Sequence, residues 1–538
     1  MSTVSGVVKA EAKHFDVIVV GAGVGGLYAL HRARRLGLNV QLFEAGGDVG
    51  GTWYWNNYPG ARVDVPSFEY SFSFDSELEQ EWRWSERYSA QPELLSYIHH
   101  VVERYDLRSS IEFNTWVTSA VYDSKAMVWT VETEGGKSVV TRSLIMATGP
   151  LSVPVYPKLI GMDRFKGESV HTGRWATEGV DVTGKRVAVI GTGSSGAQIA
   201  PELAKAAGKL YMLQRSPAYS VPSQNRALTE EEVTSLKANY AAIRQKARRN
   251  RSCLGVDVGN QSALEVGAAE REAIYQARWN EGGLGFSAAF NDIYSDVNAN
   301  NTAAEFVRQK IKGIVADPET ARKLLPDSLI GCKRLCVDNG YFEMFNRDNV
   351  QLIDISENPI KELNETGIVL EDGEIPIDVI VYATGFDAIT GSLLNMDIQG
   401  RDGISLKQAW SDGPMTYLGL AVQGFPNLFM VNGPGSPAGL ANMVALAEEN
   451  VSWIMSCLDH MKKQQVKAIE PTAEAQFEWA KIINAMSEAS IYPLANSWYV
   501  GSNVPGKPRM FMSHMDYPNY VKACRDSANA GYSGFELS

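Results

Sequence analysis

Two glycine-rich runs in the chain have the spacing that holds the phosphates of a dinucleotide. One is Gly21-Ala22-Gly23-Val24-Gly25-Gly26 and the other is Gly191-Thr192-Gly193-Ser194-Ser195-Gly196, and both fit the pattern G-x-G-x-x-G. The three glycines permit a tight turn, a close approach of the backbone to a pyrophosphate, and close packing of a helix against a strand. The free N–H groups of the helix that follows then face the phosphates. The chemistry expected at each run is therefore the binding of a nucleotide cofactor.

The residue types that follow each run predict two different nucleotides. Glu44 ends the next predicted strand after the first run, where a carboxylate can accept hydrogen bonds from ribose hydroxyls. The equivalent position after the second run carries Arg215, and a guanidinium there suits the 2′-phosphate that distinguishes NADP from NAD. A solvated charge at a strand end is the alternative for Arg215. The sequence thus predicts a nucleotide with free ribose hydroxyls at the first run and NADPH at the second.

Strands and helices that would position the two runs surround both of them. The apolar, β-branched segments before each run predict buried parallel strands, because such strands are covered on both faces. The predicted elements, in chain order, are a strand at 15–20, a helix at 27–36, a strand at 39–43, a strand at 185–190, a helix at 197–206 and a strand at 209–213. The predicted fold class is therefore α/β, with two Rossmann-like dinucleotide-binding domains.

Two Ala-Thr-Gly segments indicate how these domains are connected. Each ends a predicted strand, at 144–149 and 379–385, where glycine lets the backbone approach a bound cofactor. Between the domains the periodicity becomes helical, with a capping box predicted at 229–232. We predict a first nucleotide domain, a second one inserted into it, and a helical subdomain carried by the second. Their predicted ranges are 1–145 with 385–538, 150–222 with 332–384, and 223–331.

Length, charge and cysteine content exclude several classes of protein. A chain of 538 residues is too long for one compact core, and its net charge of −12 disfavours nucleic acid and anionic membranes as partners. The basic run at 246–251 is expected to be a solvated helix end. Five irregularly spaced cysteines predict no disulfide framework, and Cys332 and Cys336 lack further ligands for a metal site. With no secretory signal or membrane-spanning apolar run, the expectation is a soluble, cytoplasmic protein; nothing predicts an oligomeric state.

The segment just before the second run carries a longer motif. Its sequence is Phe165-Lys166-Gly167-Glu168-Ser169-Val170-His171-Thr172-Gly173-Arg174-Trp175. This segment resembles the F-x-G-x-x-x-H-x-x-x-W fingerprint of type I Baeyer–Villiger monooxygenases, at the place where that family has it. Trp175 favours this branch over the flavin-containing and N-hydroxylating monooxygenases, which usually have Tyr or Phe there, although Ala176 replaces the usual Pro or Asp. The resemblance extends to the cyclohexanone and phenylacetone monooxygenases and includes the segments 50–55, 58–64, 331–334, 383–387 and 497–499.

The resemblance implies a flavin-dependent oxygenation of ketones, with O2 as co-substrate. NADPH would reduce FAD, the reduced flavin would form a C4a-peroxide with O2, and a Criegee adduct with the ketone would rearrange to an ester or lactone. Arg334 matches the family's cation that stabilises the negative charge of peroxide and adduct, and Asp64 matches the acid that holds this arginine. Without the resemblance, Arg334 would be interpreted as a surface or ion-pair arginine and Asp64 as a turn carboxylate.

The family's remaining site residues carry over by motif. For FAD the implied residues are Gly21, Gly23, Gly26, Glu44, Thr52, Trp53, Asp64, Tyr70, Val117 and Met443. For NADP they are Arg62, Gly191, Thr192, Gly193, Ser194, Ser195, Gly196, Arg215, Ser216, Lys333, Arg334 and Trp498. Lys333 would join Arg215 at the 2′-phosphate, and Trp498 would contact the nicotinamide nucleotide. Among the fingerprint residues Phe165, Gly167, His171 and Trp175, His171 is expected to couple the domains rather than to transfer a proton.

Three other functions fit parts of the pattern. A flavin-containing monooxygenase that oxygenates nitrogen or sulfur shares both nucleotide runs, but Trp175 and the Lys333-Arg334 pair argue against it. A flavin disulfide reductase needs a cysteine pair beside the flavin, and none follows the first run. A non-catalytic flavoprotein sensor would not need an arginine that stabilises an oxygen anion.

Overall fold

The computed structural model describes residues 13–538, which form two large sheets, three small ones and the helices around them. Residues 1–12, which carry most of the N-terminal segment predicted to lack a secretory signal, lie outside the described residues. The strands are β1 (Lys13–Val20), β2 (Val40–Phe43), β3 (Ile111–Glu112), β4 (Val117–Asp123), β5 (Val128–Thr133), β6 (Ser138–Met146), β7 (Glu168–His171), β8 (Arg186–Ile190), β9 (Lys209–Gln214), β10 (Ser220–Pro222), β11 (Cys336–Asp338), β12 (Val350–Asp354), β13 (Ile360–Leu363), β14 (Gly367–Leu370), β15 (Glu374–Pro376), β16 (Val379–Tyr382), β17 (Asp397–Gln399), β18 (Leu428–Met430), β19 (Ile469–Pro471) and β20 (Phe535–Leu537). The α-helices are α1 (Val24–Arg35), α2 (Thr52–Trp55), α3 (Ser76–Glu81), α4 (Gln91–Arg104), α5 (Ser194–Ala206), α6 (Glu230–Arg248), α7 (Ala268–Glu281), α8 (Val297–Ile314), α9 (Pro318–Lys323), α10 (Gly391–Leu394), α11 (Leu406–Ala409), α12 (Met443–Gln464), α13 (Ala473–Glu488) and α14 (Tyr517–Asn529).

The first sheet contains the strand that leads into the first glycine run. Its order is β17-β4-β5-β6-β1-β2-β3, with β18 also paired to β6. Strands β3, β2, β1, β6 and β18 pair in parallel, whereas β4 and β5 pair antiparallel at the side of β6. Val17, Ile18 and Val19 of β1 are at most 1% exposed because helices and loops cover both faces of this strand.

The second sheet has the order β12-β9-β8-β16-β7, and all of its pairs are parallel. Helix α5 begins inside the second glycine run, which follows the end of β8, and leads to β9. The small antiparallel sheet β13-β14-β15 packs Leu363 and Ile368 against Ala188 and Ile190 of β8. Two parallel strand–glycine–helix units in one chain confirm the predicted α/β class.

Both glycine runs depend on contacts that no side chain would tolerate. Gly21 and Gly191 have φ of +104° and +113°, and a Cβ on Gly196 would lie 2.1 Å from the Gly191 carbonyl oxygen. At Gly26 the equivalent distance, to the Gly21 carbonyl, is 1.8 Å. The helices begin inside the runs, three residues before the predicted starts, because glycine and serine hide the first helical turn from a pattern of apolar residues.

The region between the two passages through the second sheet is helical, as its periodicity predicts. It contains α6 to α9, and α6 begins with the predicted capping box, in which the Thr229 hydroxyl accepts from Glu232 N at 3.2 Å and the Glu232 carboxylate accepts from Thr229 N at 2.9 Å. The basic side chains of Lys246, Arg248 and Arg249 at the end of α6 are exposed. Across residues 13–538, no helix is long and apolar enough to cross a membrane, and no group of three His, Cys, Asp or Glu side chains could hold a metal ion.

The second glycine run offers a matched pair of substitutions. We expect Gly196→Ala to lower the free energy of unfolding by about 1–3 kcal/mol or more, because the new methyl group collides with the Gly191 carbonyl. Gly193→Ala should change it by less than about 0.5 kcal/mol, since nothing lies within 4 Å of a Cβ there and its φ is −72°. Calorimetric unfolding of both variants checks this, and equal transition midpoints would contradict the packing argument.

Candidate active site

Two loop segments that are distant in sequence meet at an ion pair between Arg334 and Asp64. Arg334 lies just before β11, and Asp64 lies in the loop between α2 and α3. Arg334 Nε and Nη2 donate to the two oxygens of Asp64 at 2.6 and 2.8 Å, and Nη1 donates to the carbonyl oxygen of Gly439 at 3.0 Å. A guanidinium has five N–H donors, so one N–H on each terminal nitrogen of Arg334 stays uncommitted. Two donors at the end of a fixed planar fork suit an oxygen that carries negative charge.

The charge of Arg334 is secured by this arrangement. Burial lowers the pKa of the guanidinium, but the paired carboxylate of Asp64 and the nearby Tyr499 outweigh it and hold the pKa above the ordinary value. The Asp64 side chain is 23% exposed and that of Arg334 is 30% exposed, so the pair is only partly hydrated. Arg334 therefore acts as a permanent cation and not as a proton donor.

The predicted flavin residues near this pair lie on the turn that faces the first glycine run. Gly50 N donates to the carbonyl of Ala22 at 3.0 Å, and α2 starts at Thr52 immediately afterwards. The rings of Trp53 and Tyr70 meet edge to face with centroids 5.7 Å apart. The structure thus brings Thr52, Trp53 and Tyr70 to the side of the first run.

Two other predicted flavin residues are placed apart from one another. Met443 opens α12, and its sulfur accepts a hydrogen bond from Gly439 N at 3.3 Å, next to the carbonyl that Arg334 uses. Val117 packs with Val20 in a cluster on the opposite face of the first sheet from Trp53. The structure does not bring Val117 to the ion pair.

Glu44 fixes the shape of the first glycine turn. It is buried at the end of β2, and its two oxygens accept from Ala22 N at 2.5 Å and from Gly46 N at 2.7 Å. Burial raises the pKa of Glu44, and the two backbone hydrogen bonds oppose this rise. Each carboxylate oxygen has a second lone pair, which remains for the ribose contact that the sequence predicts.

The second run has two cations at its far end. Arg215 and Ser216 follow β9, and the Thr192 hydroxyl donates to the Ser216 carbonyl at 2.7 Å, which ties this end to the glycine turn. Loss of hydration lowers the pKa of Lys333, and the positive charge of Arg215 lowers it further. Within residues 13–538 neither forms an ion pair with an acidic side chain. Two adjacent unpaired cations favour an anion.

The loop that carries Asp64 also docks onto the helix of the second run. The Tyr58 hydroxyl donates to the Gln198 amide oxygen at 2.8 Å, and the Gln198 amide donates to the Arg62 carbonyl at 3.0 Å. The Arg62 guanidinium itself pairs with Glu86, so the side chain predicted to contact the nucleotide already has an anionic partner.

The fingerprint residues pack around the join between β7 and β16. His171 is 1% exposed, its Nδ1 accepts from Gly173 N at 2.9 Å, and its ring lies 5.6 Å from that of Phe386. Burial lowers the pKa of His171 to about 4, with the Gly385 backbone opposing the shift, so the ring is neutral near pH 7. Trp175 is 6% exposed in the core of the second sheet.

The first part of the fingerprint shows why glycine occupies its third position. A Cβ on Gly167 would lie 2.4 Å from the Phe165 ring and 2.5 Å from the Asp378 carbonyl oxygen. Only glycine therefore fits at this position beside the edge strand β7 of the second sheet. None of the side chains of Phe165, His171 and Trp175 forms a hydrogen bond with Arg334, which agrees with a structural role.

Two residues at the ion pair were not among the sequence predictions. The carbonyl of Gly439 accepts from Arg334, and the Tyr499 hydroxyl donates to the same carbonyl at 3.3 Å. Trp498 stacks on Tyr499 with ring centroids 3.9 Å apart and packs on Ala388. A backbone acceptor leaves no mark in a sequence, and Tyr499 has the pattern of an ordinary core tyrosine.

Known proteins resemble this chain over nearly its whole length. A family model described as flavin-binding monooxygenase-like matches residues 13–225. A Baeyer–Villiger monooxygenase of Pseudooceanicola batsensis is 40% identical over 527 residues, which is 96% of each chain. The chain belongs to the Baeyer–Villiger monooxygenase family. This confirms the family assignment that the fingerprint predicts.

Two further comparisons concern a relative that is named for a different reaction and a solved structure. A phenazine N-monooxygenase of Lysobacter antibioticus is 41% identical over 98% of each chain. A solved structure of an oxidised steroid monooxygenase bound to NADP is 48% identical and superposes with a TM-score of 0.94, over 98% of this chain and 99% of that one. The fold of the Baeyer–Villiger family is therefore present here in full.

The buried, neutral state of His171 predicts a specific dependence of stability on pH. Its folded pKa of about 4 lies below the ordinary 6.5, so the unfolded chain binds the extra proton between these values. Stability should thus be constant above pH 6.5 and fall as the pH drops toward 4, with His171 contributing up to about 3 kcal/mol. Replacement of His171 by Asn, which keeps an acceptor near Nδ1, should reduce this fall.

Thermal unfolding between pH 7.5 and 4.5 measures the effect. The exposed His14 provides the matched control, and His14→Asn should retain the wild-type dependence. If His171→Asn and wild type lose stability in parallel, the histidine is not neutral in the folded protein.

Proposed function

We propose that this chain binds FAD at the first glycine run and NADPH at the second, and uses O2 to convert ketones to esters or lactones. The observation that carries the proposal is the Arg334–Asp64 pair, a permanent cation with two free donors held where the two nucleotide units meet. The relatives support it, since one is named for Baeyer–Villiger oxygenation and a structural neighbour for its bound NADP.

The first glycine run fits a flavin nucleotide. A Cβ on Gly23 would meet only the Cα of Gly51, at 3.5 Å, so bare backbone lines the turn that would receive the pyrophosphate. The residues that would hold FAD are Gly21, Gly23, Gly26, Glu44, Thr52, Trp53, Asp64, Tyr70, Val117 and Met443. The proposed FAD domain spans 1–145 and 385–538.

The second run fits NADPH. Gly193 has no atom within 4 Å of a Cβ position, and the cations Arg215 and Lys333 would take the 2′-phosphate. The proposed NADP domain spans 150–222 and 332–384, and residues 223–331 would form a helical subdomain. Ser194, Ser195, Ser216 and Trp498 would complete the nucleotide contacts.

The chain's own part in the reaction is electrostatic. When bound, a flavin reduced by NADPH supplies the activation of O2. The two free N–H groups of Arg334 would stabilise negative charge that develops on oxygen during the transfer, and a fixed cation needs no reorganisation to do so. Asp64 holds the fork in place and keeps its charge. His171, neutral and enclosed by aromatic rings, takes no part in proton transfer.

The overall reaction balances with one atom of O2 in the ester or lactone and the other in water. A ketone, O2, NADPH and a proton give an ester or lactone, water and NADP⁺. A second candidate is oxygenation of a heteroatom, which the 41% identical phenazine N-monooxygenase favours. That reaction has the same cofactor demand and the same balance, so the product distinguishes the two.

The proposed reaction is tested with ¹⁸O2, NADPH and a cyclic ketone, followed by mass spectrometry. We expect a lactone that carries one ¹⁸O atom. Arg334→Met should lower the rate of lactone formation by about 100-fold or more, because the donors at the developing charge are lost. Arg322→Met is the matched control and should keep the wild-type rate, because Arg322 lies on the surface of α9, where it pairs with Glu319. N-oxide from an aromatic amine without lactone would favour the second candidate.

The 2′-phosphate site is tested separately by steady-state kinetics with NADPH and NADH. Arg215→Ala should raise the KM for NADPH roughly 10- to 150-fold, since one charge-assisted contact is lost. The KM for NADH should change by less than about twofold. Lys205→Ala, on the exposed side of α5, serves as the control. Equal effects on both coenzymes would remove Arg215 from the site.

A further inference from the structure

One segment near the C-terminus forms a wall of the ion-pair site. We define the Trp498 segment as residues 497–511, which lie between α13 and α14. It contacts Gly439 twice: the Tyr499 hydroxyl donates to the Gly439 carbonyl at 3.3 Å, and a Cβ on Gly439 would lie 2.9 Å from the Trp498 ring. Because Arg334 donates to that same carbonyl, the position of the segment bears directly on the position of the cation.

The far end of this segment is fastened by a buried ion pair. Lys507 Nζ lies 2.6 Å from Asp387 Oδ1 and donates to the Ala388 carbonyl at 2.7 Å. The Lys507 side chain is only 8% exposed, whereas every other lysine in an ion pair within residues 13–538 is at least 28% exposed. Asn503 adds a hydrogen bond of 2.8 Å to the Phe386 carbonyl.

The anchor point lies directly after the last strand of the second sheet. Phe386 and Asp387 follow β16, and the Phe386 ring packs on His171 of the fingerprint and would collide with a Cβ on Gly173. This backbone is therefore rigidly attached to the second sheet. A lysine buried here without its carboxylate would be strongly unfavourable, so the pair forms only when the segment is seated.

We propose that Lys507 is a positioning residue, which by pairing with Asp387 holds the Trp498 segment against Gly439 and so fixes the carbonyl that orients Arg334. The contacts run from the fingerprint through Asp387 and Lys507 to the cation. The role in nucleotide binding rests on the proposed function, because Trp498 is assigned to the nicotinamide nucleotide there. The role of Lys507 in holding the Trp498 segment does not depend on the proposed function.

The proposal is tested on the holoenzyme with Lys507→Met, which keeps the length of the side chain and removes its charge. Hydrogen exchange of the amides in 497–511 should accelerate by about 10-fold or more, while exchange in β1 and β8 stays at the wild-type rate. The Kd for NADP⁺ should rise about 10-fold. Lys522→Met is the matched control, because Lys522 pairs with Asp526 at 2.5 Å on the exposed side of α14.

Asp387→Asn is a second variant, which removes the charge from the other side and carries the test if Lys507→Met does not fold. Exchange in 497–511 that equals that of wild type, or that accelerates throughout the chain, overturns the proposal. Faster exchange with unchanged NADP⁺ binding and an unchanged rate of oxygenation also overturns it, since the segment would then not position the site. If wild type itself fails to bind NADP⁺, the proposed function fails, and the exchange measurement still tests the ion pair.

Discussion

The rest of the structure depends on one constraint, which is the partial burial of the Arg334 side chain where the two nucleotide units meet. A guanidinium that loses part of its hydration needs an anion close by, and Asp64 provides it through two hydrogen bonds. These two residues are 270 positions apart in the chain, in the loop after α2 and in the segment before β11. Both units must therefore fold and dock before the cation reaches its place, so the site cannot form within either unit alone.

The docking surface is the same helix that carries the second glycine run. Gln198 of α5 accepts from Tyr58 and donates to the Arg62 carbonyl, and Gly60, with φ of +85°, lets the loop approach so closely that a Cβ would lie 2.5 Å from the Gln198 carbonyl. The same docked loop carries Asp64. A shift of α5 would therefore move the carboxylate that holds Arg334, which connects the geometry of the nucleotide turn to that of the cation.

The parts of this arrangement that could be predicted from the sequence are those with a local cause. The strand, glycine run and helix follow one another directly, so residue type and spacing predict both units, and the place of Arg215 at a strand end is enough to predict its role. Arg334 and Asp64 were found only through the family resemblance, because their pairing depends on the docked sheets. Gly439 was missed because any residue has the same carbonyl, and Lys507 because an ion pair with Asp387 requires the folded Trp498 segment.

Two side chains that can carry a positive charge, His171 and Arg334, differ in their charge state because their surroundings differ. His171 and Arg334 are both partly or wholly withdrawn from water, and this burial acts to lower the pKa of each side chain, although the pKa of Arg334 remains above its ordinary value. At His171 the neighbours are the rings of Tyr156 and Phe386, no anion compensates, and the side chain is neutral. At Arg334 the carboxylate of Asp64 raises the pKa, so the guanidinium stays charged. The positive charge is thus kept where two N–H donors of Arg334 remain free, whereas the surroundings of His171 in the fingerprint are apolar and uncharged.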